Sequence, residues 1–147
     1  MAVTKEGLYS AQVLAQRGIL DAPKAFKIAA IELLLSVCNG CGAAGSFFRP
    51  PSTIYGVDIT PACQIHDFAF YLGQTLKEFN KANSQFYKNI KVLLDISPSF
   101  IKPKHLMAAR ALIYYKAVCW FGLRAFYAGK VKVKQAIKKV KLWPMSQ

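Results

Sequence analysis

Two helix starts and one helix stop follow each other between Thr60 and Glu78, and this punctuation constrains the chain more than any other feature. Thr60-Pro61 reads as an N-cap with proline at the first helical position, where a missing N–H costs nothing. That helix runs from Ala62 to Leu72 and stops at Gly73, a natural C-terminal glycine. Thr75-Leu76-Lys77-Glu78 then forms a capping box for the next helix. Its apolar residues Leu76, Phe79, Phe86, Ile90 and Leu93 keep helical spacing over about five turns. A connection this short makes the two helices antiparallel neighbours.

One residue breaks the apolar stripe. Asn83 lies four residues after Phe79 and three before Phe86, so an amide points where a hydrocarbon is expected. A polar group on a buried face needs a partner. The first helix offers one in His66, whose neighbours at helical spacing are Ala62, Cys63, Ala69 and Phe70. An imidazole on so apolar a face needs a hydrogen bond itself. Asp67 follows, about 100 degrees round the helix, and points in an adjacent direction. Such a pair suits a division of labour in which one group handles a proton and the other holds a cation.

The rest of the chain is organised around this pair. A helix is expected from about Asp21, with Pro23 in its first turn, to about Val37. A glycine-rich loop, Cys38-Asn39-Gly40-Cys41-Gly42-Ala43-Ala44-Gly45, follows and stays irregular through Gly56. After Pro98 and Pro103, a long aromatic helix is expected over roughly 105–128, closed by Gly129. Its Tyr114, Tyr115, Trp120, Phe121, Phe126 and Tyr127 read as packing residues, and His105 as ordinary surface. No internal repeat or second domain is visible, so residues 1–147 form one all-α domain.

Charge narrows the partners. Lys and Arg number 20 against 7 Asp and Glu, a formal net charge of +13, which draws the surface to phosphates of anionic lipid or nucleic acid. The segment 130–147 sets Lys130, Lys134, Lys138 and Lys141 on one side and Val133, Ile137 and Val140 on another. It reads either as a solvated end or as an interfacial element with Trp143 at the lipid boundary. The N-terminus lacks the layout of a secretory signal. The longest apolar stretch, Ile28 to Cys41, is broken by Glu32 and is too short to span a bilayer, so no transmembrane helix is expected. The cysteines at 38, 41, 63 and 119 can form up to two disulfides or ligate a metal. Disulfides would place the protein in a virion, a phage particle or a non-classical export route.

The stretch Cys63-Gln64-Ile65-His66-Asp67 resembles the Cys-x-x-His-Asp helix of phospholipases A2. Asn39-Gly40-Cys41-Gly42 resembles that family's calcium loop, and Ala82 to Asn89 resembles its second active-site helix in short viral, phage and bacterial members. The similar region covers about residues 38–90. The resemblance implies two antiparallel active-site helices, a glycine-rich calcium loop and additional flanking helices. It implies that His66 acts as general base on a water that attacks the sn-2 ester of a glycerophospholipid at a membrane surface. Asp67 would hold calcium together with carbonyls of Gly40, Gly42 and Ala44, and calcium would stabilise the oxyanion. By motif position Cys41 would pair with Cys63, and a bridge between Cys38 and Cys119 is what then remains.

Three positions depart from the family pattern. Asn83 stands where the family places an aspartate that orients the histidine. In a serine-protease triad a comparable change costs about 10⁴ in rate, although cysteine proteases work with Asn. Phe70 stands where a tyrosine is expected, and Ala44 where a glycine is usual.

The same residues admit other readings. Cys38-x-x-Cys41 and Cys63-x-x-His66 have zinc-ligand spacing, which with the basic surface suggests a nucleic-acid-binding zinc module. Asn83 also admits a non-enzymatic relative on the same scaffold, such as a virion component or binding protein.

Overall fold

In the computed structural model, residues 3–41, 51–97, 103–127 and 130 are described. Six helices lie along them: α1 (Lys5–Gln16), α2 (Lys24–Ile28), α3 (Ile31–Val37), α4 (Thr60–Leu72), α5 (Leu76–Ile96) and α6 (Lys104–Tyr127). Between α3 and α4 sit two short strands, β1 (Thr53–Ile54) and β2 (Val57–Asp58), the one sheet among the described residues. The class is all-α.

The α4–α5 pair forms as its punctuation predicts. Thr75 accepts from the Glu78 N–H at 3.2 Å, and the Glu78 carboxylate accepts from Thr75 at 3.1 Å and from Gln74. His66 lies opposite Asn83 and Phe70 opposite Phe79, so the register runs antiparallel. Phe79, Phe86, Ile90 and Leu93 are buried along the expected stripe. Leu76 is not. It is 57% exposed, because at the first residue of α5 the helix it would pack on has already ended.

Gly73 closes α4 for a different reason from the one its sequence suggests. Its backbone is extended (φ −69, ψ 145), which any residue adopts. A Cβ at this position would lie 2.6 Å from Cε2 of Phe126. The glycine admits the α6 ring, which packs edge-on against Phe70 and Phe79.

The start of α4 also differs from expectation. Its cap residue is Ile59, and the Thr60 N–H is satisfied by Asp58 Oδ1 at 2.8 Å, not by a Thr60 side-chain cap. Asp58 closes a hairpin in which Thr53 pairs with Asp58 and Ile54 with Val57. Tyr55 and Gly56 turn the chain with φ of 49 and 80, the left-handed pair of a tight two-residue turn. The expectation of an irregular chain through Gly56 is corrected here. Ile54, Val57 and Ile59 are buried, so the hairpin pins the start of α4 to the core.

The expected helix from Asp21 to Val37 is two helices, because Ala29 and Ala30 are extended. The Gln12 side-chain amide donates to the carbonyls of Phe26 (3.0 Å) and Ala29 (2.7 Å), and that of Gln16 donates to Lys27 (2.7 Å). Those contacts compete with continuation of the helix. Gln12 and Gln16 belong to α1, a helix the sequence reading did not place. Thr4 caps α1 by accepting the Gly7 N–H at 3.0 Å. Leu8, Ala11 and Ala15 are buried where α1 packs on α3 and α4.

α6 covers α5. Met107, Ala111, Tyr114, Ala117 and Phe126 are buried, and the Tyr114 hydroxyl donates to the Pro51 carbonyl at 2.7 Å. The aromatic residues expected to pack divide, since Trp120 and Phe121 are 71% and 61% exposed. By length and composition alone α6 is apolar enough to cross a membrane, a candidate the sequence reading did not name. The closing Gly129 lies outside the described residues.

Candidate functional site

His66 occupies the junction of two apolar clusters. Its ring centroid lies 4.1 Å from that of Phe70 on its own helix and 4.6 Å from that of Phe86 on α5. It is 7% exposed. Desolvation by these rings pushes the imidazole down to about 4, and the Asn83 contact acts in the opposite sense. The ring is therefore neutral at physiological pH and retains a lone pair.

The expected partner faces it. Nε2 of His66 lies 2.8 Å from Oδ1 of Asn83, a residue with no exposed surface. A neutral imidazole that donates from Nε2 to this oxygen keeps its lone pair on Nδ1. One buried amide thereby selects the tautomer. Asn83 Nδ2 is buried and has no hydrogen-bond partner among the described residues. A tyrosine at position 70 would bring a hydroxyl to this neighbourhood, but the side chain there is that of Phe70. Leaving such an amide hydrogen unpaired costs about 1–3 kcal/mol.

Asp67 is half-buried on the adjacent side of α4 and faces the loop. Its Oδ2 accepts the Asn39 N–H at 2.8 Å, and the Gly40 N–H also donates to the carboxyl. Burial raises its pKa to about 8 against the effect of those two donors, and among the described residues no cationic side chain acts on it. Gly40 holds φ +83, a left-handed conformation that favours glycine. The loop is tied to α4 by a disulfide between Cys41 and Cys63, the pairing that the resemblance implies.

The zinc set Cys38, Cys41, Cys63 and His66 is not present as four free ligands in this structure. Cys41 and Cys63 are bonded to each other, and His66 turns Nε2 to Asn83. No group of three potential metal-ligating side chains occurs among the described residues. Nor do Cys38 and Cys119 pair. The Cys38 thiol donates to the Gln64 carbonyl at 3.4 Å, and burial, with the Asp67 charge second, pushes it up to about 12. Such a thiol is inert.

Of the candidate calcium carbonyls, that of Gly40 is within the described residues, whereas Gly42 and Ala44 lie outside them. Lys134, Lys138, Lys141 and Trp143 also lie outside. Lys130 does not project as a free basic residue. Its ammonium donates to the Phe70 carbonyl and sits 3.7 Å from the centre of the Phe126 ring. It therefore caps the end of α4.

Sequence reasoning missed the polar residues that support this centre from behind. Asn89, fully buried on α5, accepts the Asp21 N–H at 2.8 Å and donates to the Asp21 carbonyl at 2.7 Å. Gln85 donates to the Asp21 carboxylate at 3.2 Å. The signal was present, since positions 82, 83, 85, 86, 89 and 90 share the inward side of α5 and three of them are amides.

Comparison with protein-family models, with curated proteins and with solved structures finds no match to this chain. The geometry of the site itself carries the functional reading.

Proposed function

We propose that this chain is a phospholipase A2-like hydrolase that cleaves the sn-2 ester of glycerophospholipids with calcium. The observation that carries the reading is the 2.8 Å contact between His66 Nε2 and Asn83 Oδ1, made across two antiparallel helices beside a carboxylate that faces a glycine loop. His66 is the general base, with Nδ1 taking the proton of the attacking water. Asn83 is the positioning residue that fixes the tautomer. Phe70 and Phe86 pack against the ring at a tilt and limit its exposure to bulk water.

The donor set suits a hard cation. Asp67 carries a carboxyl group with no cationic partner among the described residues, and Gly40 lies in the adjoining loop with its N–H on that carboxyl. Asp67 and the carbonyls of Gly40, Gly42 and Ala44 would hold calcium. When bound, calcium supplies Lewis-acid stabilisation of the developing oxyanion and attraction for the lipid phosphate.

A second reading has its own support. The uncharged Asn83 gives His66 orientation without compensating the charge of an imidazolium, which suits a non-catalytic phospholipase-like binding protein. A zinc module would require the Cys41–Cys63 bond to be reduced, and zinc content after reductive purification checks it.

The deciding experiment is calcium-dependent fatty-acid release from dispersed short-chain phospholipid by wild type, His66→Ala and Asn83→Asp. Release abolished by His66→Ala supports hydrolysis. No release by either wild type or Asn83→Asp overturns it in favour of the binding protein.

A further inference from the structure

α6 carries no acidic residue, and its outward side combines large apolar side chains with fixed positive charge. Leu106, Ile113 and Trp120 are seven residues apart and so rise along one line of the helix. They are 40%, 56% and 71% exposed. Leu112 and Leu123, also exposed, flank the line on one side, with Lys116 between. Arg110 borders it on the other side and Arg124 stands at its end. The Lys116 ammonium is 6.0 Å from the centre of the Trp120 ring, so charge and hydrocarbon share one surface.

We propose that this face of α6 is a docking surface for an anionic lipid bilayer, with the helix lying in the headgroup plane. The proposal builds on the phospholipid reading above and adds the surface by which the chain meets its substrate phase. Three physical arguments select this occupant. A second copy of the chain would bring Arg110, Lys116 and Arg124 against their counterparts, with no acid on the helix to pair them. A nucleic acid would satisfy the cations but leave Leu106, Leu112, Ile113 and Leu123 in water. An anionic bilayer takes both, with phosphates for the cations and the acyl boundary for the apolar line. Trp120, apolar with a single N–H donor, suits the boundary between them.

Lying on the bilayer also fits better than crossing it. Arg110 and Lys116 are in the middle of the helix, and Met107, Ala111 and Tyr114 on the other side of α6 are buried in the protein. Long basic side chains can extend sideways into headgroups, whereas both ions at mid-bilayer are costly.

The test uses the full chain carrying His66→Ala, in chelator, so that no lipid is consumed. Vesicles of phosphatidylcholine are prepared with and without phosphatidylserine. Binding is read by co-sedimentation, and insertion by the blue shift of Trp120 emission in a Trp143→Phe background. The serine-containing vesicles should bind, with a blue shift. Ile113→Ser with Trp120→Ser should weaken binding by about tenfold or more, in keeping with lost apolar insertion. Arg110→Gln with Lys116→Gln should remove the preference for anionic vesicles. Surface substitutions of this kind leave the buried side of α6 intact, and unchanged helical circular dichroism verifies folding.

Unchanged binding by both double variants, or an unshifted Trp120, overturns the proposal. So does self-association, or nucleic-acid binding without vesicle binding, that the same variants abolish. Hydrolysis of dispersed short-chain phospholipid needs no bilayer, so its outcome judges the catalytic reading separately.

Discussion

Asn83 is fully buried and uses only one of its two side-chain polar atoms on His66, with Oδ1 2.8 Å from Nε2 and Nδ2 without a partner among the described residues. This half-used amide separates orienting an imidazole from charging it. The predictions begin there.

Asn83→Asp should raise calcium-dependent hydrolysis on the order of a hundredfold, within the range of general acid–base contributions. A carboxylate keeps the hydrogen bond and adds attraction for the imidazolium. It should also lift the His66 pKa from about 4 towards or above its ordinary value. Imidazole NMR titration and initial rates on the same samples check both effects. A raised pKa with no gain in rate would assign Asn83 to structure alone.

The two site groups titrate in opposite senses. Folded His66 holds its proton only below about 4, whereas the unfolded chain binds one near 6.5, so stability is lost as pH falls between those values. Folded Asp67 keeps its proton up to about 8 against 3.8 when unfolded, so its contribution is full below 3.8 and lost as pH rises through about 8. The two slopes oppose each other between about 4 and 6.5. From about 6.5 to 8 only that of Asp67 remains. Calcium-free protein should lose on the order of 1 kcal/mol across this upper interval, and Asp67→Asn should remove the loss. Calcium affinity should rise with pH over the same interval, because the ion displaces a proton. Denaturation midpoints and titration calorimetry at several pH values measure these effects.

Breaking the Cys41–Cys63 bridge, by reduction or by Cys41→Ser with Cys63→Ser, should cost about 3 kcal/mol. The bond closes a segment with a sequence separation of 22 and ties the loop to α4 beside His66 and Asp67. Calcium affinity should fall in parallel, since Gly40 loses its tethered position beside Asp67. Urea unfolding with and without reductant reads the first effect, and calcium titration the second.

Asn89→Leu should destabilise the fold by about 2–3 kcal/mol, because the Asp21 N–H and carbonyl would both lose their partner. Asn89→Asp should be comparably damaging, since a carboxylate accepts from the N–H but cannot donate to the carbonyl. Denaturant midpoints rank the variants. A near-neutral Asn89→Asp would mean that water replaces the lost donor.

Much of the candidate site was legible because its signals are local. A capping box, a proline in an opening turn and a three-residue connection specify the α4–α5 pair from neighbouring residues alone. An amide on an apolar stripe announces a buried partner whatever lies beyond. α1 was legible in principle, through the Thr4 cap and the spacing of Leu8, Ala11 and Ala15. Its small apolar residues make a faint stripe, and it passed unread.

What remained hidden depends on contacts between distant parts of the chain. No glycine or proline marks the break at Ala29 and Ala30; side-chain amides of α1 take the carbonyls that a continuous helix would need. Gly73 looks like a helix stop, yet it is the space that Phe126 occupies, 53 residues later in the numbering (126 − 73). By itself the sequence determined the capping box of α5, the antiparallel pair and the meeting of His66 with Asn83, because caps and spacing act within a few residues. Tertiary structure alone decided which helices break, how far His66 is dried by Phe70 and Phe86, and which aromatic residues of α6 face outward. Burial and hydrogen-bond competition belong to the assembled core, not to any one segment.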